Sequence, residues 1–544
     1  MGCSLPVLTL LAVVLVTPVG GMAASGGTPE GQPDNGPNGP AGKPLPSGSE
    51  ALPSQMSRET FIQQVLRRNN VVAGQDLTVE VAGEGVIQAK AAFEPVGKAS
   101  LLRTSLRQKS TAEELLAHQS VDPTYVHRDK TADVDVSVLT PTGATVEGKV
   151  GLDAIQSNLQ TVEKRPEEYR SYVDLSITQP LAKDGGFDVT SAKTRMAEQD
   201  RLAAGHTRDS VVASVVSSAI SAYLDLRLAQ ERQQTWDKGL QMTERLVTEA
   251  HTMQRQGRLS ESALLDVENS LSLYRVGASE AQQRLVEAMG AARNLLLLSA
   301  QETPLLATDP LAKNTMGVQP TAFEDLMRIA IQNRADYQAR LATLEKEGIH
   351  VVYAQNQILP RVDLVASYGA NNLEYDGGRS LSGLSDNDFP SWKVGVTASF
   401  PLGGNQGANA DLRIARMNKE KALLDLKAAE TAISNEIQSG LAAYQSGRER
   451  WQMYRNILDT GEKQLAMERQ LFNSGRSDMR SLLAREESMV RTRVSLLEQV
   501  VAMEKAQVAL DVAQGTLLTA LTAEDVNKKR QAAPPSAPPA VDGH

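Results

Sequence analysis

The chain has 24 prolines in 544 residues, yet between Pro401 and Pro534 it has none. A proline inside a helix removes a hydrogen bond and clashes with the preceding turn, at about 3 kcal/mol. A run this long without one is therefore open to continuous helix. Within it Leu426, Ala429, Ile433, Ile437, Leu441 and Tyr444 recur at the three-and-four spacing of a single buried stripe. The only turn signal is Leu471-Phe472-Asn473-Ser474-Gly475-Arg476-Ser477-Asp478. The pattern predicts two long helices folded back on each other at Gly475. Asp411 to Phe472 would extend roughly 90 Å at the helical rise, more than a compact domain of ordinary size requires.

The same design occurs earlier. Gln179-Pro180-Leu181 opens a second proline-free run that ends at Pro304, with Arg255-Gln256-Gly257-Arg258-Leu259-Ser260 inside it. Arg195-Met196 falls on Arg416-Met417, Ala222-Tyr223 on Ala443-Tyr444 and Gly257-Arg258 on Gly475-Arg476. Leu264-Leu265 falls on Leu482-Leu483, Glu268 on Glu486 and Ser270 on Ser488. Upstream, Phe61–Asn70 is similar to Phe323–Asn333, and Phe93-Glu94-Pro95 lies where Ile358-Leu359-Pro360 does. The chain is thus read as a tandem repeat of short helix, medium helix, strands and long helical hairpin. The expected first copy covers 56–303, with strands over about 93–180 and its hairpin over about 187–300. After a linker at 304–320, the second covers 321–521, with strands over about 360–401 and its hairpin over about 408–521.

The segments between the helices change period. Asp133-Val134-Asp135-Val136-Ser137-Val138 and Trp392-Lys393-Val394-Gly395-Val396 alternate strictly. One apolar and one polar face suits either a soluble sheet or a membrane barrel strand. Residues 1–24 read as a secretory leader, with the apolar stretch Leu5–Val19 followed by the small residues Gly21-Met22-Ala23-Ala24. The lone cysteine, Cys3, precedes that stretch, where the cysteine of a lipidation site should follow it, and a single cysteine cannot make an internal disulfide. Beyond the leader no run approaches 18 consecutive apolar residues, so any membrane passage would use strands. Residues 25–55 and 522–544, rich in Gly, Pro and Ser or in Ala and Pro, read as a disordered linker and tail. A net charge of −9 argues against nucleic acid as a partner.

Together these features resemble the outer membrane efflux protein family of TolC type. The resemblance is carried by the doubled architecture, Asn333-Arg334-Ala335-Asp336-Tyr337, and Tyr353-Ala354-Gln355-Asn356-Gln357-Ile358-Leu359-Pro360. It is carried also by the strand-to-helix bends at Pro180 and Pro401 and by the tip Phe472-Asn473-Ser474-Gly475-Arg476. It covers about Met56–Leu521, and Ala335 replaces the family's usual proline. It implies a homotrimer in the outer membrane of a Gram-negative bacterium. Its transmembrane β-barrel would be shared by the three chains, four strands from each, above a long α-helical barrel in the periplasm. The implied partners are a periplasmic adaptor protein, an inner-membrane pump of RND or ABC type, and outer membrane lipid. The sequence departs in one place, because Pro95–Pro180 is about twice as long as Pro360–Pro401. The surplus contains a hairpin signal at Thr140-Pro141-Thr142-Gly143-Ala144, expected to form an extracellular extension in preference to added barrel strands. The competing reading is a secreted coiled-coil stalk or adhesin with a β head. Strand pairs interrupting the helices at equivalent points in both copies favour the duct.

No constellation for catalysis emerges. Gly143-Ala144-Thr145-Val146-Glu147-Gly148-Lys149-Val150 approaches a phosphate-binding loop, but Val150 stands where a magnesium-binding hydroxyl is required. The six histidines show no metal-site spacing. The chain is expected to be no enzyme, without cofactor or metal. The resemblance instead places function at the hairpin tips. Asp266 falls where relatives often carry an aspartate that constricts the tunnel entrance. The matching position is Ala484, with Ser481 three residues before it, so the usual double acidic ring is not reproduced. Glu261, Asp478, Arg476 and Arg480 are the neighbouring charges. Gly257, Arg258, Gly475 and Arg476 are the expected adaptor-docking tips.

Overall fold

The computed structural model describes residues 55–118, 124–159, 167–298, 305–311, 322–519 and 521. The expected leader and tail, and all of the expected linker but Gln55, lie outside the described residues. In chain order the first copy contains β1 (Gln55–Met56), α1 (Arg58–Arg68), α2 (Asn70–Lys90), β2 (Val96–Lys109), α3 (Ala112–His118), β3 (Thr124–Leu139), β4 (Thr145–Ser157) and β5 (Glu168–Pro180). It continues with α4 (Phe187–Thr190), α5 (Ala192–Arg255) and α6 (Glu261–Leu295), and β6 (Leu306–Ala307) follows in the expected linker. The second copy contains α7 (Phe323–Asn333), α8 (Ala335–Gln357), β7 (Arg361–Glu374), α9 (Gly377–Gly383), β8 (Pro390–Ser399), α10 (Gln406–Asn473) and α11 (Met479–Gln514).

The two proline-free runs form the predicted hairpins. α5 has 64 residues and α10 has 68, which is about 100 Å each at 1.5 Å per residue. Their stability comes from the stripe. Leu426, Ile433 and Ile437 of α10 pack with Leu326, Ala330 and Tyr337 of α7 and α8 and with Leu510 and Ala513 of α11. Val212, Val216, Ala219, Ile220 and Tyr223 of α5 pack with Phe61, Ile62 and Val65 of α1. This part of α5 contains a window apolar and long enough to cross a membrane by composition, but its apolar stripe faces protein. The Tyr223 hydroxyl donates to the Met56 carbonyl at 3.1 Å and accepts from the Asp309 N–H at 3.1 Å. This ties the parallel β1–β6 pair to the hairpin.

β2 to β5, β7 and β8 form one antiparallel sheet in the order β2-β3-β4-β5-β7-β8. The segment read as an extracellular extension forms β3 and β4, which are full members of the sheet. β3 is in register with both neighbours from His127 to Ser137. Its turn to β4 lies at the helical end of the sheet. The Gly186 N–H donates to the Thr142 carbonyl at 3.0 Å. Gly143 has φ +90, and a Cβ there would lie 2.5 Å from the Asp184 carbonyl. Only glycine meets both the left-handed backbone and the close approach.

Because opposed residues share a face, the register sorts every strand. One face carries Val134 and Val136, Val150 and Leu152, Val173 and Leu175, Ala366 and Tyr368, and Trp392 and Val394. The other carries Asp133 and Asp135, Lys149 and Asp153, Arg170 and Asp174, Asp363, and Lys393. On the polar face Arg170 bonds Asp153 at 2.7 Å and Lys149 lies 3.8 Å from Asp133.

The prolines end the strands but do not turn the chain. Pro180 is still in register with Asp363. The turns follow, at Asp184 (φ 64) and Gly186 (φ 95) in the first copy and at Gly404 (φ 76) and Asn405 (φ 50) in the second. Asn356, at the end of α8, clamps the first turn. Its Oδ1 accepts from the Asp184 N–H at 2.8 Å and its Nδ2 donates to the Ala182 carbonyl at 2.9 Å.

Candidate gate and docking surface at the hairpin tips

The two tips are built alike. Each first helix ends in a glycine at positive φ, Gly257 at +69 and Gly475 at +71. The N–H of the next residue then returns to a carbonyl five residues back, Arg258 to Met253 at 2.8 Å and Arg476 to Leu471 at 2.9 Å. This is the glycine-terminated helix end that satisfies otherwise orphaned carbonyls. Arg258 and Arg476 are left exposed at equivalent places. Three residues after each glycine a side chain caps the second helix. Ser260 accepts from the Ala263 N–H at 3.3 Å, and Asp478 accepts from the Ser481 N–H at 2.7 Å. That bond, together with the nearby Arg480 charge, holds the Asp478 carboxyl below its ordinary range. Glu261 is exposed in the first turn of α6, where the helix end favours a carboxylate.

Of the candidate charges, the structure brings Asp266 and Arg480 together. The guanidinium donates to the Asp266 carboxylate through Nη2 at 2.5 Å and Nε at 3.1 Å. The bond joins α6 of one hairpin to α11 of the other, and Asp266 raises the guanidinium above its ordinary value. Among the described residues, neither Glu261 nor Arg476 hydrogen-bonds Asp266 or Arg480.

Sequence reasoning missed a second cluster deeper in the tips. Arg469 of α10 donates to Glu486 of α11 through Nε at 2.9 Å and Nη2 at 2.5 Å, and Glu486 is only 9% exposed. The same guanidinium reaches the Met242 sulfur of α5 at 3.4 Å. Tyr274 of α6 completes the crossing. Burial, then the Glu486 and Glu487 charges, push its hydroxyl well above the usual tyrosine range. At the equivalent positions of the first copy, His251 Nε2 lies 3.4 Å from Glu268. The match of Glu268 to Glu486 was the available signal. Beside this cluster a groove opens between the hairpins, lined by Lys238, Met242, Arg245 and Glu249 of α5 and by Phe472 and Asn473 of α10.

Residues 326–516 match the outer membrane efflux protein family. Over 215 residues the chain is 22% identical to outer membrane protein OprJ of Pseudomonas aeruginosa, covering 39% of this chain and 43% of OprJ. The matched stretch thus spans less than half of that relative. Among solved structures, the outer-membrane channel OprN aligns with a TM-score of 0.59 at 15% identity, covering 84% of this chain and 90% of OprN. The CmeC outer membrane channel of Campylobacter jejuni aligns with a TM-score of 0.56 at 13% identity, covering 90% and 96%. The chain carries an outer membrane efflux protein domain over residues 326–516 and has the fold of the TolC-like outer membrane channels.

Proposed function

We propose that this chain is the outer membrane duct of a tripartite efflux or type I secretion system. Three copies would span the outer membrane of a Gram-negative bacterium with their strands and reach into the periplasm with their helices. The observation that supports this best is the union of two parts in one chain. A sheet with an apolar and a charged face suits lipid on one side and water on the other. Two hairpins of about 100 Å continue from the same strands. The duct itself is passive, and an inner-membrane pump of RND or ABC class supplies the energy. A periplasmic adaptor docks at Gly257, Arg258, Gly475 and Arg476 and against the groove beside Arg469. The cargo is small molecules or proteins.

Asp266 and Arg480 act as a latch between the hairpins that holds the entrance narrow, with Glu261, Asp478 and Arg476 setting the charge around it. The test is fractionation of expressing cells followed by single-channel recording of the purified protein in planar bilayers. Outer membrane recovery and a channel whose open time rises in both Asp266→Ala and Arg480→Ala support the reading. Recovery as a soluble secreted rod, with no channel activity, overturns it.

A further inference from the structure

We propose that each copy contributes six strands to the barrel, that β2 of one copy pairs with β8 of the next, and that three copies close eighteen strands. The proposal rests on the trimeric duct reading and departs from the four strands per chain that the family resemblance implies.

The sheet is continuous across the added length. The pairing between β2 and β3 is unbroken over their full length, Val96 opposite Ser137 through Lys109 opposite Thr124. That between β3 and β4 runs from His127 to Leu139. The β3–β4 turn sits at the helical end of the sheet, against Asp184 and Gly186, like a turn on the periplasmic rim of a barrel. An extracellular extension would have its turn at the opposite end. The face pattern continues over the helical half of β3, up to Ala132, beyond which Lys130 and Arg128, with Arg103 and Arg107 of β2, stand on the same face. Val134 and Val136 of β3 lie on the same face as Val150 of β4 and Val173 of β5, while Asp133 and Asp135 share the face of Lys149 and Asp174. A flap lying over the barrel mouth would have no reason to keep an apolar face in line with membrane strands.

Closure then follows from the edges. Among the described residues no strand lies beyond β2 or β8. A membrane sheet cannot leave edge N–H and C=O groups facing lipid. One chain cannot close alone, since bacterial barrels have an even number of strands from eight upward. A second copy supplies what each edge lacks. The count of six is even, so β2 runs away from the helices and β8 toward them, and a β8–β2 seam is antiparallel like every other pair. Both edge strands are uncovered, with Leu101 of β2 86% and Trp392 of β8 75% exposed. At equal tilt, diameter grows roughly linearly with strand number, so this barrel would be about 1.5 times as wide as one of twelve strands.

The test is electron cryomicroscopy of the full-length protein purified in detergent, with copies and strands counted separately. Three copies and eighteen strands, with β2 at the seam, are expected. Three copies and twelve strands, with β4 at the seam and β2–β3 outside the barrel wall, overturn the inference and leave the duct reading intact. Any other copy number overturns the trimeric reading, and two copies closing twelve strands would do so while retaining six strands each. A second readout uses cysteines on the apolar face and a flexible bis-maleimide in membranes. Ala99→Cys with Val394→Cys is expected to give cross-linked multimers on denaturing gels. Cross-linking of Val150→Cys with Val394→Cys in its place overturns the proposal.

Discussion

Removing the Arg469 guanidinium tests whether the buried bridge holds the tips together. In Arg469→Met the stem length is kept and the charge is lost. Glu486, 9% exposed, then keeps a carboxylate with no cation beside it. Breaking a buried ion pair from one side costs about 3–5 kcal/mol. The Arg469 side chain is 45% exposed, so water can reach part of the vacated space, and the expected cost falls to about 2 kcal/mol. The loss is local, because the pair joins α10 to α11 far along the hairpin from the sheet. Hydrogen exchange reads it directly as faster opening of the amides between 465 and 490. A penalty of about 2 kcal/mol corresponds to roughly 30-fold faster exchange there, with the amides of the β1–β6 region unchanged. Replacing both partners, Arg469→Met with Glu486→Leu, removes the stranded charge and is expected to restore most of the protection. The reasoning fails if the single variant exchanges like the parent. It fails equally if the double variant is no better protected than the single one.

Further predictions follow from the backbone, the caps and the sheet faces. Gly515 ends α11 at φ +72, and a Cβ would lie 2.7 Å from the Asn333 carbonyl carbon. Gly515→Ala should therefore lower the thermal midpoint by clearly more than Gly475→Ala, whose φ of +71 opens to empty space and costs about 1–2 kcal/mol. The Asp478 carboxyl is held below its ordinary value by the Ser481 N–H, so its contribution is present above the unfolded value of about 3.9 and is lost as pH falls through the lower folded value. Limited proteolysis of the second tip with an acid-active protease should accelerate over that acid window, and the step should vanish in Asp478→Asn, which still caps. On β5, Val173→Arg places a charge on the apolar face, at about 2–4 kcal/mol near a bilayer midplane. It should abolish heat-resistant folded protein in membranes, while Asp174→Arg on the other face should leave it intact.

Much of the architecture was legible in the sequence because its causes are local. Proline exclusion and the Leu426–Tyr444 stripe specify long helix without knowledge of any partner. The glycines at the tips are equally local, since Gly257 and Gly475 each sit at a left-handed residue closing a helix. Three features were not legible, and each depends on contacts remote in sequence. The length between Pro95 and Pro180 admits either an extension or added strands, and both the pairing of β3 with β4 and the approach of Gly143 to Asp184 involve partners that the sequence does not mark. The bends could be dated to Pro180 and Pro401 only by composition, whereas the chain turns at Asp184, Gly186, Gly404 and Asn405. The Arg469–Glu486 bridge brings together residues 17 apart across a turn, and neither helical nor strand periodicity marks such a pair.

The junction and the widened sheet bear on each other. Each chain sets four hairpin helices, α5, α6, α10 and α11, against six sheet strands. The β3–β4 turn lies at the junction of sheet and helices. It hydrogen-bonds Gly186 through the Thr142 carbonyl, while the Gln179 side chain donates to the same carbonyl at 3.2 Å. Asn356 then fixes the same loop from the α8 side, and Asn405 donates to the Gln357 and Ile358 carbonyls at 3.3 Å on the second turn. The turns are thereby held by α8, an element belonging to neither strand nor hairpin. The β3–β4 turn and the turn that leads into α5 are thus bonded to each other.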